Sequence, residues 1–366
     1  MSRQPLYHYL YKRLYKYLIW YYNKNSLMYQ PKYNTTSQLI TNLTQIGWFH
    51  GQLEALQIPK ELELNLERDN LVQSSYISNS IEGNPLTLHE VTNLLLDDRV
   101  PTNRDEKEVH NYFGLLKRMG NCVDQPISLS LIKKFHLELL TGVKDFAGKF
   151  RNQKVAVGHA SIGGNGPSFT IKHEPPFHKT GQIEKAIEKL VSWANQEVEI
   201  PAVLKAGIFH HQFVYIHPFE DGNGRTCRLL TALIFLKNNY PINKYFVMDD
   251  FYDIDRDLYS DKLHTADSGD KTEWLEYFTE GIMYSLQSAL ARIKENYQAL
   301  RIENRPTPKE EAVIKIIQRQ KEITAPKLAE ILKVSRQQAH GLLSNLIKKG
   351  LIDKKGKTKS SYYFLK

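Results

Sequence analysis

A run of twelve residues concentrates side chains that are suited to one kind of reaction. It begins at His217, passes through Asp221 and the turn 222–224, and ends at Arg228. A histidine can take a proton from a hydroxyl group, and a carboxylate is a hard oxygen ligand suited to Mg²⁺. Arg225 and Arg228 are three positions apart, so they share one face of a helix, and their guanidinium groups suit phosphate oxygens. The run therefore indicates phosphate-ester or nucleotide chemistry.

The turn inside this run has the composition of an anion site. Gly222 and Gly224 flank Asn223, so the backbone can adopt positive φ angles and expose successive N–H groups. A turn of this kind directly before a helix N-terminus favours phosphate binding. A lone histidine is more often structural and a lone GNG is usually only a turn, but their order and close spacing favour the chemical interpretation. The sequence has no GxxxxGK[ST], which excludes a P-loop.

The surrounding sequence predicts a mainly helical body that positions this run. Thr87 and Glu90 have the spacing of a capping box, which opens a helix through Leu96. Between 146 and 176 the pattern changes, and Val155–Gly158, a glycine-rich turn and Phe169–Ile171 predict one β-hairpin. Apolar residues at helical spacing predict further helices near 37–56, 62–80, 106–119, 128–140, 181–195, 201–214, 222–239 and 274–300.

The twelve-residue run resembles the signature of the Fic family, HPFxDGNGRxxR, and fits it at every defined position. The resemblance extends over about residues 35–300. It implies a Fic-type helical bundle with a β-hairpin flap above the active site. It also implies a protein adenylyltransferase, which moves AMP from Mg-ATP to a Ser, Thr or Tyr hydroxyl of a protein, self-modification included.

The resemblance assigns a role to each residue of the run. His217 is expected to activate the hydroxyl as general base, and Asp221 to hold Mg²⁺ on the α- and β-phosphates. The backbone of Gly222–Gly224 and the side chain of Asn223 are expected to bind phosphate oxygens. Arg225 and Arg228 are expected to bind the β- and γ-phosphates.

Two other segments are expected to complete the nucleotide site. Gly148–Arg151 resembles the approach to the flap, whose Val155, Ala156, Val157 and Gly158 line the nucleotide and pair with the target segment. Tyr259 matches a downstream segment that packs near the base. Related proteins often have an aromatic pair and a later asparagine there, whereas this chain has Ser260 and Asp267.

An upstream segment resembles the family's inhibitory motif, [ST]xxxE[GN]. Ser78 and Glu82 are four residues apart and share one helical face, and Gly83 allows the helix to end. We expect Glu82 to pair with Arg228 when no γ-phosphate is present, as in class II Fic proteins, and so to inhibit the enzyme. The alternative within enzymes is de-AMPylation, in which Glu82 positions a water. Oligomer dissociation is one route for releasing Glu82, so a homodimer is left open.

The C-terminal residues predict a separate winged helix-turn-helix. Residues 307–366 hold 14 lysines and arginines against five acidic residues, and they follow a proline-containing linker. Helices at 309–320, 325–332 and 335–349 precede a hairpin at 351–365, which is the element order of that fold. Ser335 is the expected N-cap of a recognition helix that opens with Arg336, Gln337 and Gln338. The partner is DNA, which would make the chain a DNA-binding regulator, or a protein that docks there.

Three domains are therefore predicted: an extension at 1–33, a Fic domain at 34–306 with its inhibitory helix ending near 82, and the winged helix at 307–366. The extension carries six basic residues and no acidic ones. Its apolar stretch is interrupted by Lys12, Arg13 and Lys16, so we interpret it as flexible and neither a membrane span nor a surface anchor. Two cysteines without CxxC spacing predict no disulfide or zinc motif and favour the cytoplasm.

Overall fold

A computed structural model describes residues 29–97, 99–163, 166–196, 200–303, 306–356 and 361–365. Over these residues the protein is mainly helical, with a two-stranded and a three-stranded sheet. The chain divides into two compact units between Ala291 and Arg292. This division falls inside the helix Thr272–Glu303, whereas the sequence predicted a boundary after that helix, at 306/307. Among the described residues, no helix combines the length and apolar composition that a membrane span needs.

The first unit consists of helices and one hairpin. Strands β1 (Val157–Gly163) and β2 (Gly166–His173) pair antiparallel, and the predicted tip at 164–165 lies outside the described residues. Short 3₁₀ turns lie at Met119–Cys122 and Ala266–Ser268. The helices are α1 (Ser37–Ala55), α2 (Lys60–Ile81), α3 (Leu88–Leu96), α4 (Arg104–Arg118), α5 (Leu129–Leu140), α6 (Thr180–Ala194), α7 (Ala202–Ile216), α8 (Asn223–Lys237), α9 (Asp250–Ile254), α10 (Arg256–Thr265) and α11 (Thr272–Glu303).

Short polar side chains set the beginnings of several helices. The capping box predicted at Thr87 and Glu90 is present. Asn103 and Ser128 also accept a hydrogen bond from the backbone N–H three residues later, at the starts of α4 and α5. Each such cap satisfies one N–H that has no partner within the helix. These helix beginnings are therefore fixed by local sequence.

Helices α7 and α8 form the centre of the first unit. Both are buried on nearly every face, including polar side chains such as His210, His211 and Arg228. A helix that is buried all round must lie inside the core and cannot cover only one side of it. The loop that joins these two helices, residues 217–222, is therefore held between two rigid elements.

Two regions of the first unit differ from the expectation. Helices α9 and α10 were not predicted, because closely spaced charges such as Asp253, Asp255 and Arg256 obscure the apolar periodicity. Residues 29–33 were assigned to the flexible extension. In the structure, the Tyr29 and Trp193 rings pack edge to face with their centroids 5.6 Å apart, and the Lys32 carbonyl accepts a hydrogen bond from the Lys271 N–H. Residues 1–28 lie outside the described part of the chain.

The second unit has its own small core. It contains α12 (Pro308–Gln320), β3 (Glu322–Thr324), α13 (Ala325–Leu332), α14 (Arg336–Lys348), β4 (Ile352–Lys355) and β5 (Tyr362–Leu365). The strands form an antiparallel sheet in the order β3-β5-β4. The predicted three helices and hairpin are present; β3 is an additional strand, too short to show periodicity. Its core includes Val313, Ile317, Leu328, Leu343 and Leu346.

Candidate active site

His217 lies at the end of α7 in a left-handed conformation, with φ 49° and ψ 64°. The buried guanidinium of Arg151 holds this end of the helix. Its Nε donates to the His217 carbonyl at 2.6 Å, and another of its nitrogens donates to the Ile216 carbonyl at 3.2 Å. A cation at the C-terminal end of a helix is stabilised by the helix dipole. Arg151 therefore fixes where the His217 ring begins.

The His217 ring is neutral at neutral pH. Burial lowers its pKa to about 3, and the nearby charges of His173 and Arg151 act in the same direction. Its Nδ1 atom is buried and makes no hydrogen bond of good geometry within the described chain, although the Val214 backbone opposes the pKa shift. A neutral imidazole has an unshared electron pair, so the ring is in the form that accepts a proton.

His136, which the sequence analysis did not single out, packs against the loop 217–222 and supports it. Its ring stacks on Phe219 with 3.6 Å between centroids. Its Nδ1 accepts the Gly148 N–H at 2.9 Å, so its Nε2 carries the hydrogen and donates to the Asp221 carbonyl at 3.0 Å. Burial lowers its pKa to about 4, which keeps this neutral tautomer at neutral pH. His136 thus connects the loop to the segment that leads to the flap.

Asp221 presents an ionised carboxylate at the surface of the loop. One oxygen accepts the Gly222 N–H at 2.6 Å and lies 3.6 Å from Arg225; the other lies 3.3 Å from the Lys144 ammonium. Burial alone would raise its pKa, but Arg225, this N–H and Lys144 outweigh burial and leave the pKa lowered. A partly exposed, ionised carboxylate is suited to a hard cation such as Mg²⁺.

Asn223 and Arg225 are engaged with the protein itself. The Asn223 amide accepts from the Phe219 N–H and donates to the Phe219 carbonyl, both at 2.9 Å, so it closes the loop. Arg225 is 2% exposed and donates to Glu108 at 2.8 Å and Asn79 at 3.3 Å. Both side chains were expected on phosphate oxygens, and their positions favour a role in shaping the loop.

The ion pair predicted between Glu82 and Arg228 is present. Arg228 is 1% exposed and donates to Glu82 Oε1 at 2.8 Å. It also donates to the Ser78 hydroxyl at 2.7 Å and the Ser78 carbonyl at 2.8 Å. Glu82 is the C-cap residue of α2, and Gly83, with φ 86°, turns the chain away from the helix. The predicted partner of Arg228 is therefore in place, and Ser78 adds two hydrogen bonds that were not predicted.

Glu82 also occupies the N-terminus of α8. A β-carbon on Gly224 would collide with Glu82 Oε1, so this carboxylate lies directly against the first turn. Gly222 precedes that turn with φ 74° and no side chain caps it. The N-terminus of a helix attracts anions because its N–H groups and dipole point outward. Glu82 thus lies where an anionic ligand would bind.

The charges around Arg228 are balanced mainly by Glu82. Burial would lower the pKa of the guanidinium, but Glu82 and weaker neighbours raise it. Asp249 is also buried nearby, and burial raises its pKa to about 7, so it is partly protonated at neutral pH. A glutamate at a helix C-terminus is disfavoured by the helix dipole. The Arg228 charge offsets that cost.

The expected nucleotide-lining segments lie in two places. Val155 and Ala156 precede β1, and Val157 and Gly158 begin it; Gly158 is so close to the Thr170 backbone that no β-carbon fits. Tyr259 is 7% exposed, its hydroxyl lies 2.9 Å from His210 Nε2, and its ring stacks on Tyr252 at 4.4 Å. The structure places Tyr259 in the core beside the Arg228 charge rather than on an open surface.

Comparison with known proteins bears on this loop directly. Residues 126–235 match the model of the Fic/DOC family. This segment is a Fic domain. The matched range contains α5, the flap, α7 and most of α8, and therefore His136, His217, Asp221 and Arg228. Glu82 lies upstream of the Fic domain match.

The Fic domain also has relatives over a longer range. The chain is 28% identical to protein adenylyltransferase fic-1 of Caenorhabditis elegans over 60% of its own length and 41% of that protein. It is 29% identical to protein adenylyltransferase Fic of Aedes aegypti, over 67% of its length and 48% of the relative. The chain thus spans less than half of these relatives. A Fic family protein from Desulfovibrio desulfuricans G20 has the same fold, with a TM-score of 0.63 and 24% identity over 92% of this chain and 98% of that one.

The position of His136 leads to a stability prediction. We expect His136→Ala to lower the free energy of unfolding by roughly 2–4 kcal/mol, because it leaves a cavity beside Phe219 and two polar backbone groups without partners. Urea denaturation measures the change. His178→Ala, which alters an exposed histidine, is the control. A His136 variant as stable as this control would contradict a supporting role.

Proposed function

We propose that this protein transfers AMP from Mg-ATP to a Ser, Thr or Tyr hydroxyl of a protein, and that Glu82 inhibits the reaction. The ion pair between Glu82 and Arg228 carries the proposal, because it puts a carboxylate on the anion site of the Fic domain. The names of the relatives support the activity. The proposal includes a cytoplasmic location and leaves open self-modification and association of two copies.

His217 is the proposed general base. Its neutral ring takes the proton of the target hydroxyl as the hydroxyl oxygen attacks the α-phosphorus of ATP. The new oxygen–phosphorus bond forms as the bond from the α-phosphorus to the leaving pyrophosphate breaks. General base catalysis contributes roughly a hundred- to ten-thousand-fold to such reactions. Because Arg151 holds the backbone of His217, the point from which the ring extends is already positioned before substrates bind.

Asp221 is the proposed Mg²⁺ ligand. Magnesium is commonly held by one or two carboxylates together with substrate phosphates, and the ionised, partly exposed Asp221 fits that pattern. The oxygen that faces Lys144 would have to exchange this ammonium for the metal. Held there, the ion would supply positive charge that neutralises the phosphates.

The phosphates are proposed to lie on the first turn of α8. Its N–H groups offer hydrogen bonds, and Arg228 supplies a buried charge for the γ-phosphate. Arg225 contributes its charge from behind the loop, since Glu108 and Asn79 hold its guanidinium. Glu82 and a γ-phosphate require the same guanidinium, so the two exclude each other. Inhibition follows from this competition.

The competition predicts opposite effects of two substitutions. We expect Glu82→Gly to raise AMP incorporation at least tenfold, because it frees Arg228 for the γ-phosphate. Adding His217→Ala to that variant should reduce incorporation to background. Intact-mass measurement with Mg-ATP reports autolabelling, and added candidate proteins report transfer to a target.

Glu61→Gly, which changes an exposed acid at the other end of α2, is the matched control and should label like the unmodified chain. If the Glu82 variant binds ATP and labels nothing, Glu82 does not act by blocking transfer. Incubating each variant with an AMP-modified protein measures the reverse reaction.

The low pKa of His217 predicts a flat pH profile. A histidine with the ordinary pKa of 6.5 would lose about fourfold of its neutral form between pH 8 and pH 6. Because burial lowers the His217 pKa to about 3, its base form persists over this range. We expect kcat/KM of the Glu82→Gly variant, at saturating Mg²⁺, to change less than twofold. A fall that tracks a single group near pH 6.5 would show that His217 titrates normally.

The second unit supports an accessory function in DNA binding. The exposed side chains of α14 include Arg336, Gln337, His340, Ser344 and Lys348. These residues recur at helical spacing on one face. The small residues Gly341 and Ser344 on that face leave room for DNA to approach the helix closely. Lys354 and Lys355 are exposed on β4. An exposed basic helix beside a basic hairpin has the composition that a winged helix presents to the major groove and phosphates.

Salt dependence tests this accessory function. We expect fluorescence anisotropy to detect binding of duplex DNA that weakens steeply between 50 and 200 mM salt, because counterions are released from the phosphates. The double variant R336A/K348A should bind about tenfold more weakly or worse, with a shallower salt slope. Lys315→Ala removes an exposed lysine of α12 and is the control. Absence of binding at the lowest salt would leave protein docking as the role of this unit.

A further inference from the structure

Three histidines from different parts of the fold meet around the carboxylate of Asp267, and we call these four residues the Asp267 cluster. Asp267 belongs to the 3₁₀ turn after α10. One of its oxygens, Oδ2, lies 2.7 Å from His173 Nδ1 at the end of β2 and 3.0 Å from His264 Nδ1 on α10. The other, Oδ1, lies 2.9 Å from His211 Nε2 on α7. The cluster connects the flap to α7 and α10.

The hydrogen bonds of His173 require a cation. Its Nε2 lies 2.9 Å from the Tyr215 carbonyl, and its Nδ1 faces the Asp267 carboxylate. Both partners only accept hydrogen bonds, whereas a neutral imidazole has one N–H to donate. A neutral His173 that donates to Tyr215 therefore points a lone pair at a carboxylate. Either a second proton or a metal ion must lie on that nitrogen.

His211 has no such conflict. Its Nδ1 lies 2.6 Å from the Lys271 ammonium, which donates, so its Nε2 carries the hydrogen and donates to Asp267 Oδ1. Burial lowers the pKa of His211 to about 4, consistent with this neutral form. The N–H of His211 thus fixes one Asp267 oxygen and leaves the other directed at His173 and His264.

This arrangement is the one found around metal ligands in proteins. A metal-bound histidine usually donates its second ring N–H to a backbone carbonyl or carboxylate, and a metal-bound carboxylate is itself hydrogen-bonded. His173 has the first feature through Tyr215, and Asp267 has the second through His211. These supporting contacts are already formed.

We propose that His173 Nδ1, His264 Nδ1 and Asp267 Oδ2 bind a divalent transition-metal ion of the zinc type. The three donor atoms lie within 4.8 Å of one another. Two imidazole nitrogens and one carboxylate oxygen are a ligand set that Zn²⁺ accepts, with a further position left for water. At His173, whose Nε2 keeps its hydrogen to donate to Tyr215, the ion replaces the Nδ1 proton, so binding releases a proton; a neutral His264 instead moves its hydrogen to Nε2.

Access and charge are compatible with this site. The side chains of His264 and Asp267 are 13% and 23% exposed, which gives an ion a route from solvent, whereas His173 is 3% exposed. The His173 and His264 rings are stacked at 5.2 Å and 18°, so His264 must rotate for both lone pairs to meet one ion. The Lys271 ammonium that donates to His211 opposes the ion, and burial lowers its pKa to about 8.

Metal titration tests the inference without any need for catalytic activity. The full chain, stripped with a chelator, is titrated with Zn²⁺ by calorimetry in two buffers of different ionisation enthalpy. We expect one equivalent to bind, protons to be released and thermal stability to rise. We expect His264→Ala and, separately, Asp267→Asn to weaken binding at least tenfold.

His178→Ala is the matched control, because it removes an exposed histidine outside the cluster and should leave the affinity unchanged. Circular dichroism confirms that each variant is folded. Absence of stoichiometric binding by the unmodified chain, or equal affinity of the His264 and His178 variants, would overturn the proposal and assign a proton to His173. Neither result depends on whether the chain transfers AMP.

Discussion

The charge of Arg228 can hardly exist without an anion beside it. The guanidinium is 1% exposed, and a buried charge left without a partner destabilises a protein by roughly 3–5 kcal/mol. Ser78 offers only neutral oxygens, and Asp249 is partly protonated. Glu82 supplies the missing charge in this structure. Any ligand that displaces Glu82 must therefore bring a negative charge of its own, as a triphosphate does.

Hydrogen bonds within the protein also hold the loop around residues 217–222, which is rigid before any ligand is present. Arg151 binds the carbonyls at the end of α7, His136 holds the Asp221 carbonyl, and Asn223 closes the turn on Phe219. Each contact satisfies a backbone group that would otherwise need water. Catalytic groups held in this way lose little freedom when a substrate binds, which is how preorganisation lowers a barrier.

The sequence predicted much of this site, because its key residues are consecutive or at helical spacing. The run from His217 to Arg228, the Ser78–Glu82 face and the capping box at Thr87 are all local patterns. His136 and Glu108 lie on ordinary amphipathic helices, where nothing local separates a supporting residue from a core or surface one. The Asp267 cluster comes from three separate segments of the chain, around residues 173, 211 and 264–267, so only the fold brings it together. Asn223 and Arg225 were recognised, but which atoms they contact depends on neighbours such as Glu108.

The absence of a side chain at Gly224 leaves space in the first turn of α8, and this space constrains the site. The space that a β-carbon would fill is taken by the Glu82 carboxylate. On the proposed function, the γ-phosphate needs that same space. A larger residue at position 224 would thus exclude the inhibitor and the substrate together. Under the proposed function, inhibition could therefore be tuned through the helix that carries Glu82 but not by adding a side chain at position 224.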